Sequence, residues 1–192
     1  PNGRFDPVFF GAFSDQRKIA YAPSFGIPRI PEEMEEELAG YLRQFSHLSV
    51  REQQGQRIVR HITGQDVPVV LDPTLLLDRR QWAEVAEPSP MQGGYILCYC
   101  ISRPGALEPY IRRLAEETGL PVVQLCGIRQ KVHPRAHCVL DAGPAEFLGW
   151  FQGASVVCTN SFHGTVFSTQ FQKPFFTAVA PAELASPESS RT

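Results

Sequence analysis

The stretch Cys158-Thr-Asn-Ser-Phe-His-Gly-Thr-Val-Phe-Ser168 decides how this chain is read. Ser155 to Thr159 is β-branched and apolar and predicts a short buried strand, and Asn160-Ser161 is a polar break at which a helix can begin. In an open α/β sheet such a turn lies at the carboxyl end of a strand, where ligands bind, and the free N–H groups of the helix face an arriving anion. His163 falls in the first helical turn with Gly164 beside it. Glycine inside a helix is unfavourable by roughly 1 kcal/mol relative to alanine, so Gly164 asks for the close approach of a ligand or another backbone. The same residues also fit a plain helix end, with Asn160 and Ser161 as caps and His163 as a surface histidine, and spacing alone does not choose.

Outward from this stretch, strands and helices alternate. Tyr95 to Ile101, Pro121 to Cys126 and Cys138 to Asp141 read as strands, Gly105 to Gly119, Pro144 to Gly153 and Phe162 to Phe171 as helices, and Phe175 to Val179 as a last strand. Upstream, Lys18 to Ala22, His47 to Val50 and Val67 to Leu71 read as strands. Pro31 to Phe45, Gln53 to Thr63 and a segment around Gln81 to Ala86 read as helices, and Phe5 to Phe13 as an apolar cluster packed on a core. The acidic run Glu32 to Glu37 sits at the positive end of the first helix as a solvated, dipole-matched face.

Alternation of this kind implies parallel βαβ units. The expected fold class is α/β with two Rossmann-like units, as in GT-B-type glycosyltransferases, the N-terminal one incomplete. Pro88-Ser-Pro-Met-Gln-Gly-Gly94 is the strongest linker by composition. It predicts residues 1–87 as the remainder of an N-terminal domain and 95–192 as a C-terminal domain. No Gly-x-Gly-x-x-Gly follows Tyr95 to Ile101, which argues against a nicotinamide cofactor.

Composition narrows the function classes. The 192 residues are 43% hydrophobic and 20% charged with a formal charge of −2, which fits a globular protein and argues against nucleic acid as main partner. No run reaches the roughly 18 apolar residues of a membrane span, and the opening Pro1-Asn-Gly-Arg-Phe-Asp6 shows no signal peptide. The five cysteines include no Cys-x-x-Cys pair. Cys98, Cys100, Cys126 and Cys158 fall in strands as small buried hydrophobes, consistent with a reducing cytoplasm. His133, His137 and Cys138 lie in a Pro- and Arg-containing loop without the spacing of a zinc site, and no metal is expected.

Ser161-Phe-His-Gly-Thr165, with Phe167-Ser168 and Lys173-Pro-Phe175, resembles the signature of the polysaccharide pyruvyl transferase family. Ala20-Tyr-Ala-Pro-Ser-Phe-Gly26, Leu48-Ser-Val-Arg-Glu52 and Val70-Leu-Asp-Pro-Thr-Leu-Leu-Leu77 agree with it in order and spacing. The resemblance implies transfer of pyruvate from phosphoenolpyruvate onto two sugar hydroxyls, with a lipid- or nucleotide-linked sugar among the possible acceptors, and no further cofactor. It also implies a chain longer than this one, and peripheral membrane association remains open.

That chemistry needs cations and backbone donors for the donor's anionic groups, a proton source for its methylene carbon and a base for the attacking hydroxyl. Arg51 is the candidate for a two-pronged grip on carboxylate or phosphate. His163 is the candidate proton donor or acceptor, since an unperturbed imidazole titrates near pH 6.5. The two are expected to serve one donor. Asn160, Ser161, Phe162, Gly164 and Thr165, with Ser24 and Glu52, are candidate substrate contacts, phosphate resting on the N–H groups of Phe162 to Thr165. Some family members carry a basic residue where Ser161 stands, which shifts cationic duty onto Arg51, or onto Arg103 and Arg129 if these are not plain solvated arginines. Asp72, Glu52 and Asp141 are alternative bases. A nucleotide-sugar-dependent glycosyltransferase and a non-catalytic sugar or nucleotide binding relative remain the competing readings.

Overall fold

The computed structural model describes residues 5–126 and 131–178. Two compact units divide between Pro73 and Thr74.

In the first unit, β1 (Lys18–Ala20) and β2 (Phe45–Leu48) pair in parallel, with Lys18 opposite Phe45 and Ala20 opposite Leu48. Helix α1 (Glu32–Leu42) joins them and α2 (Gln53–Thr63) follows. The expected first helix is therefore three residues too long, because Phe45 is held in the ladder by its partner on β1. The expected strand Val67 to Leu71 shrinks to one parallel bridge between Val50 and Val69. Pro68 supplies its carbonyl to the N–H of Val50 at 3.0 Å but has no N–H of its own, so the ladder cannot extend through it. Leu38 and Leu42 of α1, Ile58 and Val59 of α2, and Val50 and Val67 form the core, with Phe5, Phe10 and Phe25 packed on it. Phe10 stacks on Tyr41 at a centroid distance of 4.6 Å, so part of the expected apolar cluster is packed, while Phe9 and Phe13 stay exposed.

The second unit opens with α3 (Arg79–Val85) and continues β3 (Ile96–Cys100), α4 (Leu107–Thr118), β4 (Val122–Cys126), β5 (His137–Val139), α5 (Pro144–Gly153), β6 (Val156–Thr159), α6 (Phe162–Gln170) and β7 (Phe175–Thr177). Its five strands are parallel in the order β5-β4-β3-β6-β7. This is the strand order of a Rossmann-like unit. One face of β3 presents Ile96, Cys98 and Cys100 to Leu107 and Ile111 of α4. The other presents Leu97 to Leu148, Trp150 and Phe151 of α5 and to Phe167 and Phe171 of α6. Cys98, Cys100 and Cys158 are buried, and burial pushes the Cys100 thiol up to about 11. They act as small hydrophobes. The last strand ends at Thr177, and Val179 lies outside the described residues.

Residues 74–94, expected to belong to the first domain and a linker, fold with the second unit. Trp82 of α3 meets Phe167 edge-on at 5.3 Å, and the N–H of Glu87 donates to the carbonyl of Ala145 at 3.0 Å. Gly149 on α5 makes this approach possible, because a Cβ there would overlap the Glu87 carbonyl oxygen. The Pro and Gly content marks a segment that turns often; Ser89, Met91 and Gly94 rest on the second unit while Pro88, Pro90, Gln92 and Gly93 stay exposed.

Gly149→Ala is expected to destabilise the protein by roughly 1–3 kcal/mol or more, since backbone must shift to relieve the overlap. Gly40→Ala, in α1 with open space around its Cβ position, is expected to stabilise by up to about 1 kcal/mol. Urea unfolding of the two variants checks both signs.

Candidate functional site

The order β5-β4-β3-β6-β7 makes the chain leave β3 towards one edge and return, through α5, to build β6 and β7 towards the other. The carboxyl ends of β3 and β6 are therefore neighbours, with Tyr99 opposite Thr159. Their outgoing loops lead to helices on opposite faces, α4 and α6. That reversal opens a crevice outside the strand ends, the place where open α/β sheets bind ligands. The quoted stretch of sequence lines it.

The turn is fixed by short side chains. The Thr159 hydroxyl donates to the Tyr99 carbonyl at 2.6 Å and accepts from the N–H of Ser161 at 3.0 Å. Asn160 reaches across to the loop after β3: its Oδ1 accepts from the N–H of Ile101 at 2.9 Å. Its Nδ2 lies 2.9 Å from the Ser102 hydroxyl and 3.4 Å from the carbonyls of Ser102 and Arg103. Ser161, buried, caps α6 by accepting from the N–H of Gly164 at 3.4 Å, and its carbonyl accepts from the N–H of Thr165 at 3.0 Å. The expected phosphate cradle over Phe162 to Thr165 is thus narrower, since two of its four donors are engaged by Ser161.

His163 is half-buried in the first turn of α6, its ring edge-on to Phe162 at 5.2 Å. No acidic residue stands in that turn. Gly164 has a packing reason: a Cβ would collide with the Thr159 side chain, which its own hydrogen bonds hold in place. The Thr165 hydroxyl lies 3.2 Å from both the Ser161 carbonyl and the Thr177 hydroxyl, which ties α6 towards β7.

The first unit assembles a second cluster from the loops after its strand segments. Arg51 follows the Val50–Val69 bridge and hydrogen-bonds through Nη1 to Asp72 Oδ2 at 2.6 Å. The Asp72 side chain is 3% exposed and that of Arg51 25%. Glu52 stands 3.7 Å from Arg51 Nε and accepts from the N–H of Phe25 at 3.0 Å, while the N–H of Arg51 donates to the Pro23 carbonyl. Ser24 lies on that same loop, half-buried. Asp72 and Glu52, read from sequence as alternative bases, both face Arg51. Arg51 thus has a structural duty, neutralising a buried carboxylate, that spacing did not reveal.

Asp141, Arg103 and His137 are exposed, His133 accepts from the N–H of Arg135 at 3.2 Å, and Arg129 lies outside the described residues. Among the described residues no group of three or more His, Cys, Asp or Glu side chains could hold a metal ion. No described helix is long and apolar enough to cross a membrane. The sequence offers Arg103 as a candidate cation and shows no glycine-rich motif after β3, but it gives no sign that the loop Ile101 to Arg103 joins the turn.

Arg51→Ala is expected to lower stability by roughly 1.5–3 kcal/mol, because buried Asp72 loses its hydrogen bond to the guanidinium. Asp72→Asn in the same chain should restore part of that loss, with a coupling on the order of 1 kcal/mol or more in a double-mutant cycle of urea unfolding.

Among solved structures, the chain is similar to a UDP-GlcNAc 2-epimerase from Methanocaldococcus jannaschii in complex with UDP-GlcNAc and UDP. That match has 14% identity and a TM-score of 0.49, over 83% of this chain and 53% of that one. It is also similar to the dodecameric iron-containing heptosyltransferase TibC in complex with ADP-D-beta-D-heptose, at 14% identity and a TM-score of 0.40, over 74% and 41% of the two chains. The chain spans about half the length of the solved structures it matches. No curated protein matches it. The family model for polysaccharide pyruvyl transferase matches residues 3–181, which takes in every motif described above, and the chain belongs to that family.

Proposed function

We propose that the protein transfers pyruvate from phosphoenolpyruvate to a sugar of a polysaccharide or glycan precursor, forming a cyclic ketal and releasing phosphate. The observation that carries this reading is the position of the family signature, Ser161 to Thr165, at the reversal point of the five-stranded sheet with His163 in the first turn of α6.

In the proposed reaction the methylene carbon of the enol phosphate takes up a proton, and one sugar hydroxyl bonds to the neighbouring carbon. The bond from that carbon to the phosphate oxygen breaks, and a second hydroxyl closes the ketal. The two hydroxyls give up two protons; the methyl group takes one and the departing phosphate the other. His163 is assigned one of these transfers, as the titratable side chain on the turn. The positive end of α6, with no acidic residue in its first turn, favours the donor's negative charge. Arg51 is assigned a contact to carboxylate or phosphate through the part of its side chain that solvent reaches. The acceptor is a sugar, free or lipid- or nucleotide-linked, and the setting is cytoplasmic, where phosphoenolpyruvate is made.

The full-length protein supplied with phosphoenolpyruvate and a panel of sugar acceptors is expected to release phosphate only when the correct acceptor is present. The product should carry a ketal methyl group detectable by proton NMR. His163→Asn should lower turnover by roughly 100-fold or more while the fold is kept. Arg51→Lys should act mainly on the Michaelis constant for phosphoenolpyruvate. Consumption of a nucleotide sugar in place of phosphoenolpyruvate, or near-normal turnover in a folded His163→Asn, would overturn the reading.

A further inference from the structure

We infer that Asn160 is a positioning residue, which makes the loop after β3 part of the donor-binding turn and brings Arg103 to it as a cation. This rests on the function proposed above, and it deepens that reading.

The turn after β6 and the loop after β3 have no main-chain ladder between them, since strand pairing ends at Tyr99 and Thr159. Beyond that point the Asn160 side chain spans them. Asn160 accepts from the N–H of Ile101 with its oxygen and, with its amide nitrogen, reaches the Ser102 hydroxyl and the Ser102 and Arg103 carbonyls. An asparagine amide offers both an acceptor and two donors, and here both ends are used against consecutive residues of one loop. A contact to substrate, the role expected from sequence, would compete with these bonds. A clamp of this kind fixes the loop relative to the α6 N-terminus without touching the ligand.

Arg103 is the group this clamp places. It is exposed, its carbonyl lies 3.4 Å from Asn160 Nδ2, and no carboxylate pairs with it among the described residues. Of the unit's other arginines, Arg112 and Arg113 pair with Glu108 and Glu117 along α4, and Arg79 hydrogen-bonds to Gln172. Arg80 on α3 and Arg135 before β5 are also exposed, but neither lies on the two loops that Asn160 joins. The crevice between the β3 and β6 ends is bounded by the two loops that Asn160 ties together. A donor with a carboxylate and a phosphate presents two anionic groups, of which Arg51 is assigned one, and the turn itself offers a half-buried histidine and a helix end. Pro104, buried directly after Arg103, stiffens the loop that carries it.

The test uses Asn160→Ala, Asn160→Asp, Arg103→Ala and Arg103→Lys in the full-length protein, with three measurements. Hydrogen exchange reports the Ile101 amide, which should lose protection in Asn160→Ala and retain it in Asn160→Asp, where an oxygen acceptor remains. Phosphoenolpyruvate kinetics should show the Michaelis constant raised about tenfold or more in Arg103→Ala, partly recovered in Arg103→Lys, with kcat changed far less. Asn160→Ala should raise the same constant, and Arg103→Ala added to it should cost little more, because both act through one cation. Additive effects, or Arg103→Ala with an unchanged constant while His163→Asn is inactive, would overturn the inference and leave the proposed function standing. Wild-type protein that neither binds nor consumes phosphoenolpyruvate would overturn the proposed function, and this inference with it.

Discussion

The second unit depends on β3 being paired along both edges. Ile96 to Cys100 is in register with Val122 to Cys126 on one side and, as far as Tyr99, with Val156 to Thr159 on the other. A parallel strand in the middle of a sheet needs cover on both faces, and β3 obtains it from α4 on one and from α5 and α6 on the other. The chain can supply that cover only by winding first to one side of β3 and then to the other. The crevice at the carboxyl ends of β3 and β6 is a by-product of this winding.

Where the strand ladder stops, side chains take over. Thr159 and Asn160 are consecutive and each reaches to the end of β3, Thr159 to the Tyr99 carbonyl and Asn160 to Ile101 and Ser102. A turn held by such bonds keeps a functional group to a narrow range of positions, which a loop held by solvent alone would not do. It also dictates composition nearby. Gly164 is glycine because Thr159 occupies the space of a Cβ, and Ser161 is a short hydroxyl because it closes the first turn from inside. No buried polar side-chain atom lacks a partner among the described residues, so the polar turn is compatible with the apolar core beneath it.

The first unit solves a different problem with the same kind of loop. Asp72 is buried beside Arg51, and a buried carboxylate persists only with a cation or several donors against it. Glu52, held by the N–H of Phe25, adds a second carboxylate near the guanidinium. Arg51 therefore links three loops, after β1, after β2 and after the Val69 bridge, so that a substitution there acts on stability and on the proposed donor contact together.

Sequence by itself determined the parallel α/β class, the strands and helices of the second unit to within a few residues, and the position of His163 at a strand-to-helix turn. These follow from local facts: β-branched runs, helical spacing of apolar residues and polar breaks between them. It misjudged Pro88 to Gly94 as a linker, because composition records how often a chain turns and not where the turning segment rests; Ser89 against α5 and Met91 against the core place it with the second unit. It could not show that Asp72 faces Arg51 across 21 positions, or that Asn160 clasps Ile101 to Arg103 across nearly 60, since neither separation leaves a periodic trace. Strand order is likewise absent from local pattern. Only the tertiary structure, by laying β6 beside β3 and so bringing two distant loops to one edge, decided that the turn at Ser161 sits at the reversal of the sheet, because register and order are set by which buried faces fit together.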